Sequence, residues 1–182
     1  MAAHQYAELQ VTTNFSFLRG ASHGEELVAQ AKALGLSAIA VTDRNTLAGV
    51  VRAHVAAKEL GVPFIVGARL DLRDGISLLC LPRDRAAYGR LSRLLSLGQM
   101  RAPKGECELW LADVAAHAEG QIFIVLAPET WNYRDGREVF EADLRRIRSV
   151  LGDADLYVAA THFHRGDDRE RITCLAELAQ RT

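Results

Sequence analysis

The sequence predicts an α/β domain with mainly parallel strands and helices on the outside. Two observations predict it. Short apolar runs alternate with stretches of 3.6-residue period from one end of the 182 residues to the other, and the helical stretches tend to close on glycine. Repeated βα units of this kind imply right-handed crossovers and a parallel sheet.

Taken in order, "AELQVT" at residues 7–12 reads as the first strand, followed by the glycine-containing loop "NFSFLRGASHG". Ser22, with Glu25 three residues on, has the form of a capping box, and the helix it opens runs to Leu34 and stops at Gly35. "LSAIAVT" is the second strand and "TLAGVVRAHVAAKEL" the second helix, ended by Gly61. Pro63 opens "PFIVGARL", the third strand. In "DLRDGISLLCL" the Asp74-Gly75 pair marks a hairpin-like turn. "RDRAAYGRLSRLLSLG" is a helix expected to close at Gly98, and "QMRAPKGECELWL" a loop holding a short strand. A short helix at 112–118, strand "QIFIVLA", helix 137–151, strand "LYVAAT" and helix 167–180 complete the pattern. No repeat, low-complexity tract or linker interrupts it, so 1–182 reads as a single domain. The last helix has no strand after it, which suggests truncation before the final strand or strands: a trimmed chain, or the front of a longer protein.

At 49% apolar and 25% charged, the composition is that of an ordinary globular protein. Twenty-two basic against 23 acidic residues leave a net charge of −1 and no global attraction to nucleic acid. No apolar run approaches the roughly 20 residues that span a bilayer, so no membrane partner is expected. The opening "MAAHQYAELQ" lacks a signal-peptide pattern, making the cytoplasm the default location. Cys80, Cys107 and Cys174 are odd in number and far apart, which favours reduced thiols over a disulfide frame or zinc site.

In parallel α/β proteins chemistry gathers at the carboxyl ends of strands. Three such ends carry polar residues here: Gln10 with Thr12, Asp43 with Arg44, and Arg69. The segments "YAELQVTTNFSFLRGASH", "AVTDRNTLAGVVRAHVAAKELGVPFIVGARL", "RAAYGRLSRLLSLG", "KGECELWLADVAAHAEG" and "HRGDD" resemble the polymerase and histidinol phosphatase (PHP) domain. The form they resemble lies at the N-terminus of bacterial C-family DNA polymerases, especially the error-prone branch of those alpha subunits. The resemblance implies an incomplete (βα)7-type barrel whose polymerase aspartates lie in a downstream domain. It also implies partners: the downstream polymerase domains and, through the full-length protein, DNA and other replisome or mutagenesis proteins. The alternative is a free-standing PHP-type metal-dependent phosphoesterase.

Metal-binding members of the family carry His-x-His on the first strand, Thr-Asp-His after the second and Gly-x-Glu after the third, holding metal ions that activate water. Here the first pair is Gln10 and Thr12, the triplet is Thr-Asp-Arg with Asp43 kept and Arg44 replacing histidine, and the glutamate position is Arg69. Arg19 stands where those members place Asp or His. Arginine is always charged and is no metal ligand, so the site is expected to be degenerate, with neither cofactor nor catalytic residue. Three uses of Asp43 stay open: ion pairs with Arg19, Arg44 and Arg69; an anion pocket formed by those arginines; a residual metal site. His162 and His164 form a second His-x-His, read either as a surface turn before a helix capped by Asp167 or Asp168, or as a metal pair. His23, His54 and His117 need no catalytic role. Arg83, Arg85, Arg90, Arg93, Arg101 and Lys104 form one basic stretch, either a solvated face or a nucleic-acid contact.

Overall fold

Strand β1 (Ala7–Val11), strand β2 (Ala38–Val41) and strand β3 (Phe64–Val66) form a parallel sheet in that order, with Ala7 opposite Ala38 and Ile39 opposite Phe64. The structure, a computed structural model, describes residues 6–182, which divide into two compact units. The first unit holds the described residues up to Leu70 together with Leu79–Pro82. Helices α1 (Gly24–Ala33) and α2 (Val50–Leu60) cover its sheet. Val28 and Ala31 of α1 and Ala53 and Ala57 of α2 lie three or four residues apart and bury one stripe of each helix against Val11, Ile39 and Val41. Each fully buried valine or isoleucine contributes about 1.5–3 kcal/mol.

The N-cap of α1 is His23, one residue beyond the expected Ser22, because Glu26 and not Glu25 reaches back to accept the His23 N–H at 2.8 Å. Helix α2 starts later than predicted, since residues 45–49 are not helical, and it ends at Gly61 as expected, with φ 67°. The expected third strand is two strands. Gly67 breaks it into β3, beside β2, and β4 (Ala68–Asp71), whose Arg69 bridges to Arg44 in parallel.

The second unit comprises Asp71–Leu78 and Arg83–Thr182. The Asp74-Gly75 turn forms as predicted, with the Leu72 N–H donating to the Ile76 carbonyl at 2.8 Å, and leads into β5 (Ser77–Pro82). Asp84 caps α3 (Arg85–Arg101) by accepting the Ala87 N–H. Gly98 does not close that helix. It is buried inside the last turns, where a Cβ would sit 2.7 Å from Leu109, so the glycine serves packing instead of termination. Residues 102–110 form no strand and lead to α4 (Leu111–Ala116). β6 (Gln121–Leu126) runs parallel to β7 (Asp155–Val158), joined through α5 (Arg137–Leu151), with α6 (Asp168–Arg181) last. The α/β class with mainly parallel strands is therefore observed.

Candidate functional site

Asp43 follows β2 and is fully buried. Its Oδ1 accepts the Thr13 backbone N–H at 2.8 Å and the Ser16 hydroxyl at 2.7 Å, and its Oδ2 accepts the Thr13 hydroxyl at 2.7 Å. Both donors' residues belong to the loop after β1. That loop is tied further by Asn14 N–H to the Ser22 carbonyl, and by the Arg19 and Gly20 N–H groups to the Ser16 carbonyl. Ser16 Oγ also accepts the Arg44 N–H at 2.9 Å, and Thr13 Oγ1 the Phe15 N–H at 3.2 Å. Gly49, capping α2, approaches so closely that a Cβ there would lie 2.4 Å from Asp43 Oδ2. One carboxylate thus joins the β1 loop, the end of β2 and the start of α2.

Arg44 and Arg69 are neighbours across the strand ends: the Arg69 N–H donates to the Asp43 carbonyl at 3.0 Å and the Asn45 N–H to the Arg69 carbonyl at 2.8 Å. Both are half-buried, Arg19 is exposed on the loop, Gln10 is exposed and Thr12 half-buried. The donors to the Asp43 carboxylate are the uncharged Thr13 and Ser16 groups, where the sequence suggested the guanidiniums of Arg19, Arg44 and Arg69. Uncharged donors satisfy a buried acid without the desolvation of a guanidinium. Thr13 and Ser16, which do this, were not singled out in the sequence; a hydroxyl-bearing loop directly after a strand was the one available signal.

The sequence profile of the PHP domain matches residues 8–165. The chain belongs to the PHP family. Among relatives, an error-prone DNA polymerase of Caulobacter vibrioides is 49% identical over 176 residues, 96% of this chain and 16% of that one. Error-prone DNA polymerase 1 of Agrobacterium fabrum is 47% identical over 180 residues, 99% of this chain and again 16% of the relative. The chain therefore spans about one-sixth of the length of the polymerases it matches. Its fold is shared with a Bifidobacterium adolescentis protein to which metal-dependent phosphoesterase activity has been attributed (TM-score 0.72, 17% identity, 98% of this chain and 84% of that one). It is shared also with an amidohydrolase from Chromobacterium violaceum solved with sulfate and no metal (TM-score 0.66, 17% identity, 94% and 82%).

The donor set of this PHP domain, among the described residues, does not fit a family metal centre. Among the described residues no group of three or more His, Cys, Asp or Glu is placed to hold a metal ion. At the family's early positions only Asp43 offers a carboxylate, and its oxygens already take three donors, with the backbone of Gly49 pressed against Oδ2. His162 and His164 lie in a surface turn, their ring centroids 4.4 Å apart. Asp168 organises that turn: it accepts the Phe163 N–H at 2.6 Å and the Arg165 N–H at 2.8 Å, while Phe163 lies under the guanidiniums of Arg165 and Arg171. The Phe163 N–H holds the Asp168 carboxyl below the ordinary range, helped by the Arg165 N–H and the nearby histidines against the opposing effect of burial.

Much of the basic stretch is paired with neighbours. Arg83 meets Asp155, Arg90 donates to the Glu119 carbonyl at 2.8 Å, and Arg101 meets Asp113 at 2.6 Å. The three cysteines are free thiols, and burial pushes that of Cys80 up. No helix among the described residues is long and apolar enough to cross a membrane.

Proposed function

We propose that residues 1–182 act as one PHP-like domain at the front of an error-prone, damage-tolerant bacterial DNA polymerase alpha subunit in the cytoplasm. Its role there is structural and requires no metal or other cofactor. Its partner is the downstream polymerase body of the same chain, and through the full-length protein it meets DNA and other replication or mutagenesis proteins.

The observation that carries the scaffold reading is the use of Asp43. The one early family position that keeps a metal-binding group is spent on holding the loop after β1 to the end of β2, through Thr13 and Ser16. Identity of 42–49% to error-prone polymerases over nearly the whole chain supports the polymerase context. The competing reading, a free-standing phosphoesterase, draws on the fold shared with the Bifidobacterium protein. The downstream reading frame separates the two. An in-frame continuation of about five times this length supports the polymerase, since the relatives have that much beyond the matched part. An immediate stop codon supports the free-standing protein.

A second use of the same rim is anion binding by Arg19, Arg44 and Arg69. The parallel bridge between Arg44 and Arg69 favours it, because residues directly paired across neighbouring strands project to the same face, about 4.8 Å apart along the sheet. Phosphate or the DNA backbone is the chemistry such a pair recognises.

A further inference from the structure

Phe17 and Leu18 stand at the tip of the β1–α1 loop, 84% and 86% exposed, with Phe15 (43%) beside them in sequence. Among the described residues these are two of the three most exposed large apolar side chains, and the two are consecutive. Adjacent apolar residues left in water this fully are unusual unless something covers them.

The loop that carries them is braced, not slack. Asp43 holds its base through Thr13 and Ser16, and Asn14 closes it onto Ser22. A Cβ at Gly20 would lie 2.4 Å from the Thr13 carbonyl oxygen, so the two limbs of the loop are in close contact. Leu18 itself sits at φ 61°, a left-handed conformation that a bulky residue adopts only under constraint. Relaxing it needs no more than a different backbone turn, yet the surrounding bonds hold the leucine outward. A rigid, strained, apolar tip is what a preformed docking knob requires, because little ordering entropy is left to lose on binding.

We propose that Phe17 and Leu18 form a docking knob that seats in an apolar pocket of the polymerase body of the same chain, with Arg19 meeting acidic groups at its rim. This rests on the polymerase context proposed above. The covering surface comes from the same polypeptide, because in the matched polymerases about five-sixths of the chain lies outside the matched part. The buried Asp43 cluster then has a purpose in the scaffold: it aims the knob.

The test is thiol labelling of Phe17→Cys in two proteins, the 182-residue chain and the product of the complete reading frame, quantified on the peptide carrying residue 17. The knob predicts fast labelling in the 182-residue chain and labelling slowed about tenfold or more in the full-length protein without DNA. Equal rates in both proteins overturn the knob while leaving the polymerase context standing. A reading frame that stops after this chain overturns the context itself. Slowing that grows with the concentration of the 182-residue chain assigns the tip to a second copy, and slowing seen only with added single-stranded DNA assigns it to nucleic acid; either result overturns the proposal.

Discussion

Replacing Asp43 by alanine removes the acceptor of three buried donors at once: the Thr13 N–H, the Thr13 hydroxyl and the Ser16 hydroxyl. A buried donor left without an acceptor costs about 1–3 kcal/mol. The two hydroxyls can rotate toward other acceptors, but the Thr13 amide is fixed by the backbone. Their sum is therefore about 3–5 kcal/mol, a large part of the 5–15 kcal/mol by which ordinary domains are stable. Asp43→Asn keeps the shape and one carbonyl oxygen. With that oxygen in the Oδ1 position it still accepts from Thr13 N and Ser16 Oγ, so the loss is about 1–2 kcal/mol. Ser16→Ala strands the Arg44 N–H and removes one of the two donors to Asp43 Oδ1, and is expected between the two. Urea unfolding followed by circular dichroism measures all three, and the Asp43→Ala/Ser16→Ala double mutant should be less than additive because each single change already removes the bond the two residues share. An Asp43→Ala protein within about 0.5 kcal/mol of the parent, the range of ordinary surface changes, would refute the structural role of this carboxylate.

Three further outcomes are expected. Gly49→Ala forces a Cβ to within 2.4 Å of Asp43 Oδ2 and 2.7 Å of Thr13 Oγ1, so urea unfolding should show a loss of about 1–3 kcal/mol, where an open helix cap would show little. For Asp168, whose carboxyl is held below its ordinary value of 3.8 in the folded protein, the added stability is present above that value and lost as the pH falls through the folded value. Melting curves between pH 7 and about pH 2 should accordingly show a steeper acid decline for the parent than for Asp168→Asn, and parallel declines would contradict it. Sulfate should raise the melting temperature modestly, and Arg44→Ala combined with Arg69→Ala should remove that gain, since a ligand of the native state stabilises by mass action. An unchanged response in the double mutant counts against the anion reading.

The elements most legible in the sequence were those whose periodicity is unambiguous. Helix 137–151 appears with the predicted bounds, since Phe140, Leu144, Ile147 and Leu151 repeat every three or four residues and are all buried. Glycine was less informative: Gly61 ends a helix through a left-handed turn, whereas Gly98 sits inside one for lack of room beside Leu109. The run "PFIVGARL" is apolar enough to read as one strand, and nothing in its composition tells where the backbone breaks at Gly67. At the site, Asp43 was visible as an acid at a strand end. Its partners were not, because loop hydroxyls have no period, and the adjacent Arg44 suggested an ion pair where Thr13 and Ser16 supply the donors instead.

The central claim is that this PHP domain keeps Asp43 for architecture and has no metal-dependent hydrolysis. Elemental analysis of dialysed protein, paired with a phosphoesterase assay in added manganese, tests it directly. The account predicts no stoichiometric metal and no turnover, for the parent and for Asp43→Asn alike, with Asp43→Asn changing stability alone. Stoichiometric metal in the parent, together with turnover that Asp43→Asn abolishes, would contradict it.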